Sequence, residues 1–225
     1  MTEGVFGMDG DRAPLGELLE AAAAHDALVY LDDAHGAFVA GAAGRGSPEA
    51  AGIAHERFIY MGTLGKALGA QGGFVVGPRA LIDYLRNRAR TFIYATALAI
   101  PVAAAACEAL RVMEDEPQHR SVLQAKVLRL CQQLPQRLAP VHPSHIVPIL
   151  TARLRPSSGR ANSSIADDAR WALEVSDQLW KQGMWVPAIR PPTVPRGTAR
   201  LRVSLTAAHT DAQIDDLARA LGNAA

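Results

Sequence analysis

The chain has 225 residues, 49% of them hydrophobic and 20% charged, a composition that excludes general disorder and gives enough apolar material for one large domain or two small ones. With 23 basic and 22 acidic side chains the formal charge is +1, which gives no electrostatic case for nucleic acid or an anionic membrane surface. Cys107 and Cys131 form no CxxC or metal-type spacing and read as small buried side chains in a reducing cytosol. "TEGVFGMDGD" after Met1 lacks the basic start and apolar core of a secretory leader, and "ALAIPVAAAAC" (97–107) is too short to span a bilayer and contains Pro101. The expectation is therefore a cytoplasmic protein with no membrane segment.

In chain order, helix and strand signals alternate. "PLGELLEAAAAHD" (14–26) opens with proline and is rich in alanine, which predicts a helix. "ALVYL" (27–31), a short apolar run ending in acids, predicts a buried strand. "RFIYMGT" and "GFVVG" predict two further strands, and "PRALIDYLRNRA" another helix opened by Pro78. From Pro101 the sequence turns helical through "AAAACEALRVMEDE" and again over 120–138. It then restarts as strand "HIVPIL", helix "IADDARWALEVSDQLWKQG", strands "MWVPAI" and "ARLRVSL", and helix "TDAQIDDLARAL". The alternation argues for an α/β layered fold, and the restart for a second, smaller α+β domain beyond a boundary near Met113. "RPSSGRANSS" (155–164) reads as a flexible loop.

"MGTLGKALGAQGG" (61–73) sets one lysine among glycines directly after a predicted strand. The stretch does not match a phosphate-binding P-loop: Tyr60 stands five positions before Gly65, and Ala67 follows Lys66 where that motif needs Ser or Thr. On these residues alone two readings stay open, a partly desolvated amine that forms a Schiff base and a surface lysine in a glycine-rich turn. In "LDDAHGAFVAGAAGRG" (31–46), Asp32 and His35 leave the end of a predicted buried strand, where α/β proteins place ligand-binding loops. Alone, that pair also reads as a strand cap and a surface histidine. Its order with the lysine adds weight: an acid at one strand end, a histidine in the following loop and a lysine after the next strand suit a pyridoxal phosphate site. A carboxylate ~4 Å from the pyridine nitrogen, at an effective dielectric of ~20, stabilises its protonated form by roughly 4 kcal/mol, about three pKa units.

These stretches, with "TEGVFGMDGDRAPL" and "AIRPPTVPRGTARLRVSLTAAHT", resemble the α-oxoamine synthases, in the branch that makes 8-amino-7-oxononanoate for biotin. The resemblance runs from Thr2 to the C-terminus. It implies a fold-type I pyridoxal phosphate transferase, of which this chain is the C-terminal portion. Residues 1–112 would form a partial cofactor-binding large domain with a mostly parallel sheet, and residues 113–225 the small α+β domain. The implied reaction condenses L-alanine with a pimeloyl thioester, of coenzyme A or a carrier protein, with loss of carbon dioxide. By matching positions, Lys66 would form the Schiff base and then remove the α-proton, Asp32 would pair with the pyridine nitrogen, and His35 would contact the ring hydroxyl. Thr63 would bind the phosphate, and Thr96, in "FIYATAL", the phosphate of the partner subunit in a homodimer. Arg190, in "RPPT", would take the substrate carboxylate, with Thr193 on the acyl side. Read without the resemblance, Arg190 is a solvated arginine and the two threonines are turn hydroxyls.

Three departures accompany the resemblance. Gly7 stands where the family has a cofactor-contacting serine, and Ala99 and Ile100 replace the family's proline pair after "TAL". Family members also carry a substantial part before "TEGVF", so this chain is expected to begin inside the large domain. Two classes of function stay open: a synthase completed by further chain, including a sister synthase that uses glycine, and a catalytically incompetent fragment or associating subunit.

Overall fold

The computed structural model describes residues 1–54, 57–134, 144–154 and 165–223. The loop expected at 155–164 lies outside the described residues, as do His55 and His142. The chain divides into two compact units, Met1–Phe6 with Arg12–Arg120, and Gly7–Asp11 with Ser121–Ala225.

The first unit is built on a four-stranded sheet of β1 (Thr2–Glu3), β2 (Val29–Asp32), β3 (Phe58–Thr63) and β4 (Gly73–Val76), in that spatial order. β1, β2 and β3 run parallel, with Leu31 opposite both Thr2 and Tyr60. β4 returns antiparallel, Thr63 facing Gly73. Strand alternation sends Val29 and Leu31 of β2 and Phe58 and Tyr60 of β3 into one core. Helix α1 (Leu15–Ala24) covers that core with Leu15, Leu18, Leu19 and Ala22, the spacing of one helical face. A short α2 (Ser47–Ala50) follows the loop after β2, and α3 (Arg79–Arg88), α4 (Arg90–Ile93) and α5 (Ile100–Asp115) follow β4. The stretch from β4 into α5 exposes Val76, Tyr84, Phe92, Ile93, Tyr94, Leu98 and Ile100.

The second unit holds α6 (Gln118–Gln133) from Ser121 onward, β5 (Ile146–Leu150), a 3-10 turn (Thr151–Arg153), α7 (Ile165–Lys181), β6 (Ala188–Ile189), β7 (Arg200–Ser204) and α8 (Asp211–Asn223). Its antiparallel sheet is ordered β5-β7-β6. Ile149 and Leu201 face each other across it and are fully buried. Val175 and Leu179 of α7, and Ile214, Leu217, Ala218 and Leu221 of α8, complete the core at helical spacing. Asp168 ties α7 to this sheet, accepting from the Thr151 hydroxyl at 2.5 Å and the Ala199 amide at 2.7 Å.

The expected strand "MWVPAI" is formed only at Ala188–Ile189. Pro187 has no amide to donate, and its carbonyl accepts instead from Arg202 N at 3.0 Å. Residues 7–11 belong to this second unit because two arginines of β7 hold them: Arg202 Nη1 donates to the Gly7 carbonyl at 3.2 Å, and Arg200 pairs with Asp9. Gly10 is required there, since its φ is +68° and a Cβ would lie 2.1 Å from the Ile146 carbonyl oxygen. Among the described residues no helix is long and apolar enough to cross a membrane, and no cluster of His, Cys, Asp and Glu could hold a metal ion.

Candidate active site

The carboxyl ends of β2 and β3 carry the candidate residues of the first unit. Asp32 is the last residue of β2, and its Oδ1 accepts from the Ala34 amide at 3.0 Å, which turns the chain away from the strand. Its backbone neighbour across the pair is Met61, two residues before Thr63 at the end of β3. Asp32 and Thr63 therefore sit at one edge of one sheet.

Lys66 stands exposed in the turn that joins β3 to β4. Leu64 N donates to the Gly72 carbonyl at 2.9 Å, Ala70 N to Leu64 O at 2.9 Å, and Gly69 N to Lys66 O at 3.0 Å. Thr63 Oγ1 donates to Gly72 O and accepts from Gly65 N, each at 3.1 Å, so the same hydroxyl bridges both arms of the turn. Gly69 and Gly72 adopt φ of +61° and +113°, which side chains rarely tolerate. A Cβ on Gly69 would meet nothing within 4 Å, so the lysine turn has open space beside it. On Gly72 a Cβ would lie 3.0 Å from Leu98 Cδ1, which brings the segment carrying the exposed Thr96 up to the same turn.

His35 lies partly buried in the loop between β2 and α2. Asp33 beside it is fully buried. Its Oδ2 accepts from the Ser47 amide at 2.7 Å and the Tyr60 hydroxyl at 2.8 Å, and its Oδ1 from the Ser47 hydroxyl at 2.5 Å. Burial lifts the Asp33 carboxyl above its ordinary pKa of 3.8, while hydrogen bonds from Ser47 and Tyr60 oppose the rise. The Tyr60 phenol is pushed upward too, by burial first and the Asp33 charge second. At the exposed end of the loop, Glu49 accepts from the amides of Ala43 at 2.9 Å and Arg45 at 2.8 Å, which hold its carboxyl below the usual range. The sequence reading passes over Asp33, Ser47 and Tyr60. Their only signal in the string is the doubled acid of "LDDAHG", which does not say which acid faces inward.

Arg190 and Thr193 lie in the second unit, exposed, in the turn after β6. Thr193 N donates to the Arg190 carbonyl at 3.1 Å, and the Pro191–Pro192 peptide between them is cis. Within the first unit the chain thus assembles a carboxylate, a hydroxyl and a primary amine around one sheet edge. That donor set suits a cationic heterocycle, a phosphate and a carbonyl carbon respectively.

The model of the aminotransferase class I and II family matches residues 1–221, and the chain belongs to that family. The 8-amino-7-oxononanoate synthase of Thioalkalivibrio sulfidiphilus is 45% identical over 222 residues, covering 98% of this chain and 53% of its own length. That of Azoarcus sp. is 44% identical over 229 residues, with 98% and 53% covered. Among solved structures, a serine palmitoyltransferase from S. paucimobilis with bound PLP-myriocin has 31% identity and a TM-score of 0.86, over 99% of this chain and 53% of that one. The 8-amino-7-oxononanoate synthase of Francisella tularensis has 28% identity and a TM-score of 0.78, over 98% and 61%. The chain spans about half the length of the curated relatives it matches.

Proposed function

We propose that the chain is the lysine-bearing part of a pyridoxal phosphate-dependent α-oxoamine synthase, which condenses L-alanine with a pimeloyl thioester to give 8-amino-7-oxononanoate. In that reaction a carbon–carbon bond forms between the alanine α-carbon and the acyl carbonyl, the carbon–sulfur bond breaks to release the thiol, and carbon dioxide leaves. The observation that carries the reading is the gathering of Lys66, Asp32 and Thr63 at one sheet edge, in a chain 45% identical to an oxononanoate synthase along nearly its whole length.

The cofactor, when bound, supplies an electron sink for negative charge at the amino-acid α-carbon. Asp32 keeps a proton on the ring nitrogen, the role its place at the strand end supports. Lys66 would hold the cofactor through its amine, and that amine, when free, would be the base that removes the α-proton. Thr63 would contact the phosphate, its one hydroxyl hydrogen leaving the Gly72 carbonyl to do so, and His35 would contact the ring oxygen. Thr96 reaches the phosphate of a partner subunit. Arg190 clamps the alanine carboxylate with its planar fork, and Thr193 lines the acyl side. The assembly is a homodimer, or a pairing with a complementing chain, working in the cytoplasm. The exposed apolar residues between β4 and α5 support a covered face in that assembly.

A second reading rests on the serine palmitoyltransferase likeness, whose TM-score of 0.86 exceeds the 0.78 of the Francisella tularensis synthase. It makes the chain part of a sister synthase for another amino acid, such as glycine. One assay separates the two. The chain is co-expressed with the stretch of the Thioalkalivibrio sulfidiphilus enzyme that it does not match, and thiol release from pimeloyl-coenzyme A is followed with alanine, glycine or serine. Release with alanine, and product of the oxononanoate mass, is expected. Release with glycine or serine alone would move the chain to the sister branch, and none with any of the three would reject the synthase reading.

A further inference from the structure

We infer that Asp33 is a positioning residue whose buried carboxylate closes the base of loop 33–47 and so sets where Asp32 and His35 stand at the sheet edge. The inference concerns loop geometry, and its meaning for catalysis rests on the function proposed above.

Asp33 joins pieces that are far apart in sequence. Its side chain accepts from Ser47, at the far end of the loop, and from Tyr60, in β3. Its amide donates to the Met61 carbonyl at 2.8 Å, and its carbonyl accepts from Gly36 at 3.0 Å and Ala37 at 2.7 Å, forming the turn that carries His35. One residue thus holds the His35 turn with its backbone and the return of the loop with its side chain. Asp32, one position earlier, is fixed on the other side by Gly4 N, which donates to its carbonyl at 2.8 Å.

Glycines wall in the carboxylate. A Cβ on Gly4 or on Gly36 would lie 2.1 Å from Asp33 Oδ1, and one on Gly46 would lie 2.3 Å from Oδ2 and 2.4 Å from the Tyr60 hydroxyl oxygen. Three backbone segments therefore approach one carboxylate more closely than any side chain allows. Higher in the loop, Arg120 donates to the Ala42 carbonyl and Glu49 accepts two amides, but those contacts are exposed and water can replace them. At Asp33 water cannot, so a lost acceptor leaves the Ser47 amide unsatisfied.

The donors to Asp33 are all neutral, which makes the role one of bonding geometry. An asparagine amide can donate to Ser47 Oγ while its oxygen accepts from Ser47 N and Tyr60. The conservative variant should therefore rescue what a truncation loses.

The test uses the purified chain without cofactor, measuring amide hydrogen exchange across 34–47 and the carbethoxylation rate of His35 relative to the exposed His25, both by mass spectrometry. Asp33→Ala should speed exchange in the loop by about ten-fold or more, with slower change in β2 and β3. It should also alter the His35-to-His25 ratio under conditions where exchange in β2 and β3 stays as in the parent, which separates a local change from loss of stability. Asp33→Asn should leave both as in the parent. Unchanged exchange and reactivity in Asp33→Ala, or loosening by Asp33→Asn equal to that by Asp33→Ala, would overturn the inference. If Asp33→Ala does not fold, Tyr60→Phe decides, since it removes the phenol's hydrogen bond to Asp33 and keeps the ring. About five-fold faster loop exchange supports the inference, and parent-like exchange refutes it.

Discussion

Asp32 and Asp33 are adjacent acids with different surroundings, one partly exposed at the strand end and the other fully buried among glycines. For Asp32 the proposed role depends on charge. Asp32→Asn in the complemented enzyme should keep cofactor binding while lowering turnover by about three powers of ten, the equivalent of roughly 4 kcal/mol for a carboxylate at ~4 Å and an effective dielectric of ~20. Steady-state kinetics check this, and parent-like turnover would remove the role. For Asp33 charge is a cost. Its folded-state pKa is raised above 3.8, so its contribution to stability is full below that value and is lost as pH rises through the folded pKa. Asp33→Asn should therefore melt no lower than the parent at pH 7, with any advantage fading below pH 3.8. A clearly lower melting temperature at pH 7 would show that the charge itself is needed. The placing of Asp32, His35 and Lys66 at or just after strand ends was legible in the sequence, from the apolar runs that precede them. Asp33 was not, because its partners Ser47 and Tyr60 come from distant segments and its glycine walls acquire meaning only once packed.

At the scale of elements, periodicity was enough where one face is buried. The helices α7 and α8 were legible as amphipathic segments, α1 from its opening proline and alanine content, and the strands β2, β3, β5 and β7 as apolar runs. β1 was not, since two residues carry no period. β6 was over-read because "MWVPAI" is apolar throughout, yet Trp185 is 80% exposed and Pro187 interrupts the ladder. Nor did the sequence indicate that β7 uses Arg200 and Arg202 to hold residues 7–11, since alternating arginines on a strand read as a solvated face. Between α6 and α8, Arg129 donates to Asp215 through two nitrogens at 2.7 and 2.6 Å, which with Gln133 holds that carboxyl at about 2. A lowered folded pKa means that this link contributes above about pH 4 and is lost as pH falls through about 2. Asp215→Asn should flatten the acid limb of unfolding in that window. An acid limb identical to that of the parent would show that the link adds nothing.

For the whole molecule, each unit has its own buried apolar cluster, while the stretch from β4 to the start of α5 leaves large apolar side chains exposed. Edge strand β4, with Val75 and Val76 exposed, offers a pairing surface of the kind proteins ordinarily cover. The family follows from long ordered motifs and the α/β class from the alternation of helix and strand signals, whereas the strand directions of the second unit's sheet were not legible. In the proposed function, Lys66 is the residue through which the chain holds pyridoxal phosphate. This is tested by incubating the chain, alone and in the complemented assembly, with the cofactor, reducing with borohydride and mapping the labelled peptide. The pyridoxyl group is expected on Lys66, weakly in the chain alone and stoichiometrically in the assembly. Label on Lys126 or Lys181 with Lys66 unmodified would contradict it.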